Sequence, residues 1–143
     1  MTTYAWFYWA LLSAVFAALT AIFAKIGIAN VNSDMATWVR TLVILCVLSL
    51  YIWLTKQWQN PIQLPSKTWT FLILSGIATG ASWVCYFRAL QIGEASKVAP
   101  VDKFSLVLVA IFACIFLGER LNPREWFGIG LIAAGVLTLA IKK

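Results

Sequence analysis

The sequence predicts an all-α integral membrane protein of five transmembrane helices, and three observations carry that prediction. The 143 residues are 62% hydrophobic and only 11% charged, more apolar surface than a soluble domain of this size can hide. Five apolar stretches use up almost the whole chain. Two of them, residues 6–24 and 69–87, carry no charge and have about the ~20-residue length that crosses a ~30 Å hydrocarbon core. The other three, residues 41–54, 104–118 and 126–141, reach that length only if Arg40, Asp102 or Lys103 enters the membrane. Ionisable groups are costly there and usually have a function.

The five predicted helices lie at about 6–28, 35–54, 68–92, 98–117 and 124–141, within a single domain over 1–143. Each connector has turn chemistry. Asn30-Val31-Asn32-Ser33-Asp34 supplies a helix N-cap, and Asn60-Pro61 and Pro65-Ser66 break the longest loop. Asn122-Pro123 starts the last helix after a cap-like asparagine. Pro100 falls in the first turn of the predicted fourth helix, where its missing N–H costs little.

Composition also narrows the function. No loop is long enough for an enzyme domain, and the absence of histidine removes the commonest general base and metal ligand. Cys46, Cys85 and Cys114 fall in three different apolar stretches with no paired spacing, and read as small buried hydrophobes. Hence no enzyme activity, cofactor or metal is expected. The first helix lacks a basic n-region and is too long for a signal sequence, so it reads as a retained span. The net charge of +6 is spread over loops and helix ends, where basic residues set orientation and meet anionic lipid rather than nucleic acid.

Lys56, Lys67, Arg120 and Arg124 fall on the side of the N-terminus. Lys25, Arg40, Arg88, Lys97, Lys103, Lys142 and Lys143 fall on the other, but Arg40, Arg88 and Lys103 are partly within the membrane and count weakly. The positive-inside rule is therefore almost balanced, with a lean towards an inward C-terminus. Small residues recur at helix-packing spacing. Those of the first and third helices, such as Gly76 and Gly80, read as packing within one protomer, whereas Gly128, Gly130 and Ala134 on the last helix read as an interface between chains.

Lys25, Arg40, Arg88, Asp102 and Lys103 are expected on one side of the membrane, at similar depths of about 5–8 Å along their helices. Lys25 reads as snorkelling to the interface. The short Asp102 side chain needs a cationic partner, and Arg40 or Arg88 is preferred because Lys103, adjacent on a helix, points away. The resulting surplus of positive charge suits an anionic or zwitterionic ligand, or lipid phosphates. Trp83, Tyr86, Phe87 and Leu90 share a helix face beside this layer, suited either to a flat or cationic molecule or to ordinary packing. Glu119 stands apart at the opposite boundary, beside Arg120, and is expected to fix the last turn or act as a gate.

Several of these runs resemble one family. Gly93-Glu94-Ala95-Ser96-Lys97-Val98-Ala99-Pro100, Val101-Asp102-Lys103-Phe104-Ser105, Leu117-Gly118-Glu119-Arg120 and the glycine-rich Gly128-Ile129-Gly130-Leu131-Ile132-Ala133-Ala134-Gly135-Val136 are similar to an EamA domain of the drug/metabolite transporter superfamily. Arg40-Thr41 and Ser82-Trp83 with Tyr86-Phe87-Arg88-Ala89-Leu90 resemble its short, five-helix bacterial and archaeal branch. The resemblance implies half of an inverted-repeat, ten-helix transporter, completed by an antiparallel homodimer or by a heterodimer with a similar half transporter. It differs from the four-helix small multidrug resistance proteins, whose first helix carries a buried glutamate, because the first helix here has no acidic residue.

The expected function is therefore alternating-access transport of a small metabolite or drug across the cytoplasmic membrane of a bacterium or archaeon. Asp102, Arg40, Arg88 and Lys103 would act as substrate or coupling groups, and Trp83 and Tyr86 would line the path. The competing expectation is a non-transporting accessory or assembly subunit anchored to anionic lipid, which would have a dry, packed bundle instead of a polar cavity.

Overall fold

A computed structural model describes residues 5–141; the regular secondary structure among them is all helical, with no strand. The helices are α1 (Ala5–Gly27), α2 (Ser33–Leu54), α3 (Ser66–Ile92), α4 (Ala95–Asp102), α5 (Ser105–Phe112) and α6 (Pro123–Ala140). A 3-10 turn at Pro61–Gln63 precedes α3, and α5 runs on into a π turn at Ala113–Leu117. Among the described residues four segments are long and apolar enough to cross a membrane: α1, α2, α3 and the composite 95–117 segment. The fifth predicted span corresponds to α6, which has 18 residues and a polar first turn at Pro123-Arg124-Glu125. Lys142 and Lys143 of the charge count lie outside the described residues.

The described residues form two compact units, one of residues 22–92 and the other of residues 5–21 with 93–141. In the first unit α2 packs along α3. Its core is small and lies where α1 ends, α2 begins and α3 ends, with Ile28, Ser33, Thr37, Phe87 and Leu90 buried. In the second unit α4 and α5 both pack on α6, where Val136 is buried. Almost every other large apolar side chain is exposed, as expected when lipid tails cover the helices and backbone polar groups must be satisfied within them. Cys46 and Cys85 are exposed as well, which corrects the expectation of buried cysteines. An outward face in lipid is as apolar as a core, so apolar surroundings in sequence do not imply burial inside the chain.

Helix starts follow the sequence chemistry. The Asn32 side chain accepts hydrogen bonds from the N–H groups of Asp34 (2.9 Å) and Met35 (3.1 Å), capping α2. Asn122 and Glu125 form a reciprocal capping box at α6: the Glu125 N–H donates to the Asn122 side chain (3.0 Å), and the Asn122 N–H donates back to the Glu125 carboxylate (2.7 Å). The turn before α6 is held by this box and by Gly118. Gly118 has φ +68°, and the Glu119 N–H donates to the Ala113 carbonyl at 3.2 Å.

The predicted fourth helix is not continuous. It starts earlier, at Ala95, so Pro100 sits inside α4 rather than in its first turn. An interior proline removes one helical hydrogen bond and crowds the preceding turn. Beyond it the bonds tighten to three-residue closures, from Lys103 N–H to the Pro100 carbonyl and from Phe104 N–H to the Val101 carbonyl, both 3.0 Å.

Gly118→Ala should destabilise the protein by about 1–2 kcal/mol, because a Cβ is strained in the left-handed region. No atom lies within 4 Å of the added Cβ, so the loss is conformational rather than a clash. A detergent melting curve for Gly118→Ala that matches the parent would refute this account of the turn.

Candidate functional site

The charged and aromatic groups of the first unit assemble at one end of α2 and α3. Asp34, in the first turn of α2, meets Arg88 from the last turns of α3 in a two-pronged ion pair. The Arg88 Nε donates to Asp34 Oδ1 at 3.0 Å, and Nη2 to Oδ2 at 2.6 Å. The same end is tied twice more. Lys25 Nζ donates to the Leu90 carbonyl at 2.6 Å, and Gln91 Nε2 donates to the Val31 carbonyl at 2.9 Å. Lys25, expected to reach for headgroups, instead satisfies a C-terminal carbonyl of α3, the usual place for a cation on a helix.

Arg40 lies two turns further along α2. Its guanidinium carbon is 4.4 Å from the Trp83 ring centroid and 5.2 Å from that of Phe87. Tyr86 meets the Phe87 ring edge-on, with centroids 6.3 Å apart. Phe87 is buried, so the aromatic group is partly core and partly a platform for a cation.

Beside this cluster a groove of about 630 Å³ runs between α2 and α3. Asp34, Thr37, Trp38 and Thr41 line it from α2; Leu72, Ser75, Gly76, Thr79, Gly80, Trp83 and Val84 line it from α3. Gly76 and Gly80 were expected to let helices touch within the protomer. Instead nothing lies within 4 Å of either Cβ position, and the two glycines leave the groove open. Thr37, Thr41 and Thr79 donate their hydroxyl protons to carbonyls one turn back at 2.8 Å, which leaves their oxygens as acceptors facing the groove.

The second unit holds Asp102 and Lys103, and within it the structure corrects the exclusion of Lys103 as a partner. Arg88 is taken by Asp34, and Arg40 makes no ion pair among the described residues. Asp102 pairs with Lys103, Nζ to Oδ2 at 3.3 Å. The exclusion of Lys103 assumed an unbroken helix. Because α4 ends at Asp102 and the backbone tightens, the two neighbours can meet. Nothing lies within 4 Å of the Cβ positions of Gly128 and Gly130 on α6, and Ala134 is exposed.

Asp34 and the hydroxyls of Thr37, Thr41, Ser75 and Thr79 escaped the sequence reading. Asp34 was seen only as part of a helix cap. The hydroxyl pairs had a signal, because Thr37/Thr41 and Ser75/Thr79 each recur at four residues and so share one face of an otherwise apolar helix.

The chain belongs to the EamA-like transporter family, whose model matches residues 4–141. A Sinorhizobium protein named as an uncharacterised transporter is 60% identical over 95% of this chain and 96% of its own length. An uncharacterised transporter of Vibrio cholerae is 26% identical over 90% of the chain but only 40% of its own. A probable 4-amino-4-deoxy-L-arabinose-phosphoundecaprenol flippase subunit of Yersinia pestis is 29% identical over 58% of the chain and 74% of its own. No solved structure matches. The family, the transporter-named relatives and the apolar helices define a multi-pass membrane protein of a transporter family.

Asp34→Asn should lower the melting temperature in detergent, because it leaves Arg88 without its carboxylate. The double variant Asp34→Asn/Arg88→Gln should melt above the sum of the two single losses. Strict additivity would show that the pair contributes nothing to the fold.

Proposed function

We propose that this chain is one half of a small-molecule transporter in the cytoplasmic membrane of a bacterium or archaeon. It works as an antiparallel pair, with a second copy or a similar half transporter, by alternating access. The observation that carries this reading is the α2–α3 groove, which sets hydroxyls, a carboxylate and two tryptophans into helices otherwise clothed for lipid. A lipid anchor has no use for such a groove. The accessory-subunit reading requires a dry packed bundle, and this groove weighs against it.

Half-size is supported by the Vibrio relative, which is more than twice as long as the region it shares with this chain. The Yersinia relative is named as a subunit, which fits work in pairs. α6 completes the count as a fifth span: its 18 residues extend about 27 Å at ~1.5 Å per residue, close to the thickness of a hydrocarbon core. An odd number of spans places the termini on opposite sides, so an inverted-repeat assembly needs both orientations. The open face at Gly128, Gly130 and Ala134 is the contact through which α6 meets its partner. The two units together constitute one domain, as the family match over 4–141 supports.

Within the site, Arg40, Trp83 and Tyr86 address the substrate, and Arg88 closes one end of the groove with Asp34. Asp102 and Lys103 sit at a helix break of the kind that transporters use for substrate and coupling ions. Pro100 supplies that break. Glu119 acts through its backbone in the turn between the composite segment and α6 rather than as a gate.

A metabolite screen by thermal shift, followed by uptake of the hits into proteoliposomes, tests the proposal. Thr79→Val should keep the parent's melting temperature while reducing uptake several-fold, because it removes one groove acceptor at an exposed position. If no hit is transported, the accessory reading replaces this one. For assembly, a cysteine placed at the C-terminus should be labelled from both faces of the membrane. One-sided labelling, with no inverted partner in the purified complex, rules out antiparallel pairing.

A further inference from the structure

The charge balance around the α2–α3 groove identifies the class of ligand. Asp34 is the groove's only carboxylate among the described lining residues, and both of its oxygens are engaged by Arg88. It is therefore a poor counter-charge for a cationic ligand. Trp83 is the groove's other natural cation receptor, and the Arg40 guanidinium already lies 4.4 Å from its ring centroid. Both features that would hold a cationic drug are occupied.

Arg40 has the opposite character. It makes no ion pair among the described residues and lies in the interior of a membrane-spanning helix. Stacking on an aromatic ring uses the flat face of a guanidinium and leaves its edge, where all five N–H donors point, available. An unneutralised arginine at that depth is costly, and a planar donor edge matches phosphate or carboxylate oxygens. Lys25, the other cation near this end of the unit, is committed to the Leu90 carbonyl.

We infer that Arg40, held against Trp83, is the seat for a phosphate or carboxylate group of the ligand, whose uncharged, hydroxyl-bearing body lies in the neighbouring groove. This rests on the reading of the groove as a substrate site and narrows it from drugs and metabolites in general to anions. Thr37, Thr41 and Thr79 offer acceptors to the body, and Trp83 belongs to both the seat and the groove wall. The oxyanion comes either from an amphiphile with a phosphorylated headgroup or from a free, water-soluble anion.

The test is a set of melting curves of the purified full chain in a neutral detergent. Decyl phosphate, inorganic phosphate and decyltrimethylammonium are titrated separately into the parent, Arg40→Gln, Arg40→Lys and Lys67→Gln. Decyl phosphate should raise the parent's melting temperature saturably. Arg40→Gln should weaken half-saturation about tenfold or more, the effect of losing a charged hydrogen-bonding partner. Arg40→Lys, which keeps the charge but loses the fork, should fall between them and serves alone if the glutamine variant does not fold. Lys67→Gln, at an exposed lysine near the opposite end of α3 and outside the groove lining, should bind decyl phosphate like the parent.

A response to decyl phosphate alone assigns an amphiphile as the source; an equal response to inorganic phosphate assigns a free anion. Equal decyl phosphate affinity in the parent and both Arg40 variants overturns the seat. So does saturable stabilisation by decyltrimethylammonium but not by decyl phosphate. Binding that depends on Arg40 without any uptake in proteoliposomes upholds the seat and removes only the transport reading.

Discussion

The arrangement of α1, α2 and α3 depends on how their polar ends are tied together. Lipid provides no hydrogen-bond partners, so the charges at a helix end must find partners within the protein or at the interface. Here the Asp34–Arg88 pair joins α2 to α3, Lys25 brings α1 to the last carbonyls of α3, and Gln91 reaches the turn between α1 and α2. The few buried residues of that unit, Ile28, Ser33, Thr37, Phe87 and Leu90, collect at this same end. Little else in the unit is buried. Polar ties therefore do the work that a hydrophobic core does in water, since apolar side chains gain nothing by leaving lipid for one another.

That tie has a functional consequence. Holding α2 and α3 together at one end allows them to border a groove further along, where Gly76 and Gly80 provide no side chain to fill it. The pair also consumes the groove's carboxylate. What is left is one arginine on an aromatic platform and a row of hydroxyl oxygens, the set of groups on which the proposed anionic ligand rests.

The second unit shows a different use of the same chemistry. Proline inside α4 breaks the 95–117 segment, and a left-handed glycine after the π turn ends it. Each irregularity has a local cause: a missing N–H at Pro100, and a positive φ that only Gly118 tolerates cheaply. The Asp102–Lys103 contact sits at the first of these breaks, so a charged pair and a backbone irregularity coincide.

Helicity, membrane residence, helix positions to within a few residues and the family were all legible in the sequence, because they depend on local properties. Apolar runs of spanning length report the solvent, and Asn32, Asn122 and Pro123 mark helix starts whatever surrounds them. The Leu117-Gly118-Glu119 run proved to be a backbone requirement, with glycine where φ is +68°. Partnership was not legible. Asp102 had three candidate cations by sequence, Arg40, Arg88 and Lys103, and the packing of α2 on α3 commits Arg88 to Asp34 instead. Lys103 was excluded by a helix geometry that Pro100 interrupts. The groove was equally hidden, because a glycine spacing that permits helices to touch also permits them to leave a gap. Local composition decides what each segment is; which charges meet, and whether small residues close a contact or open a cavity, is decided by how the helices are placed against one another.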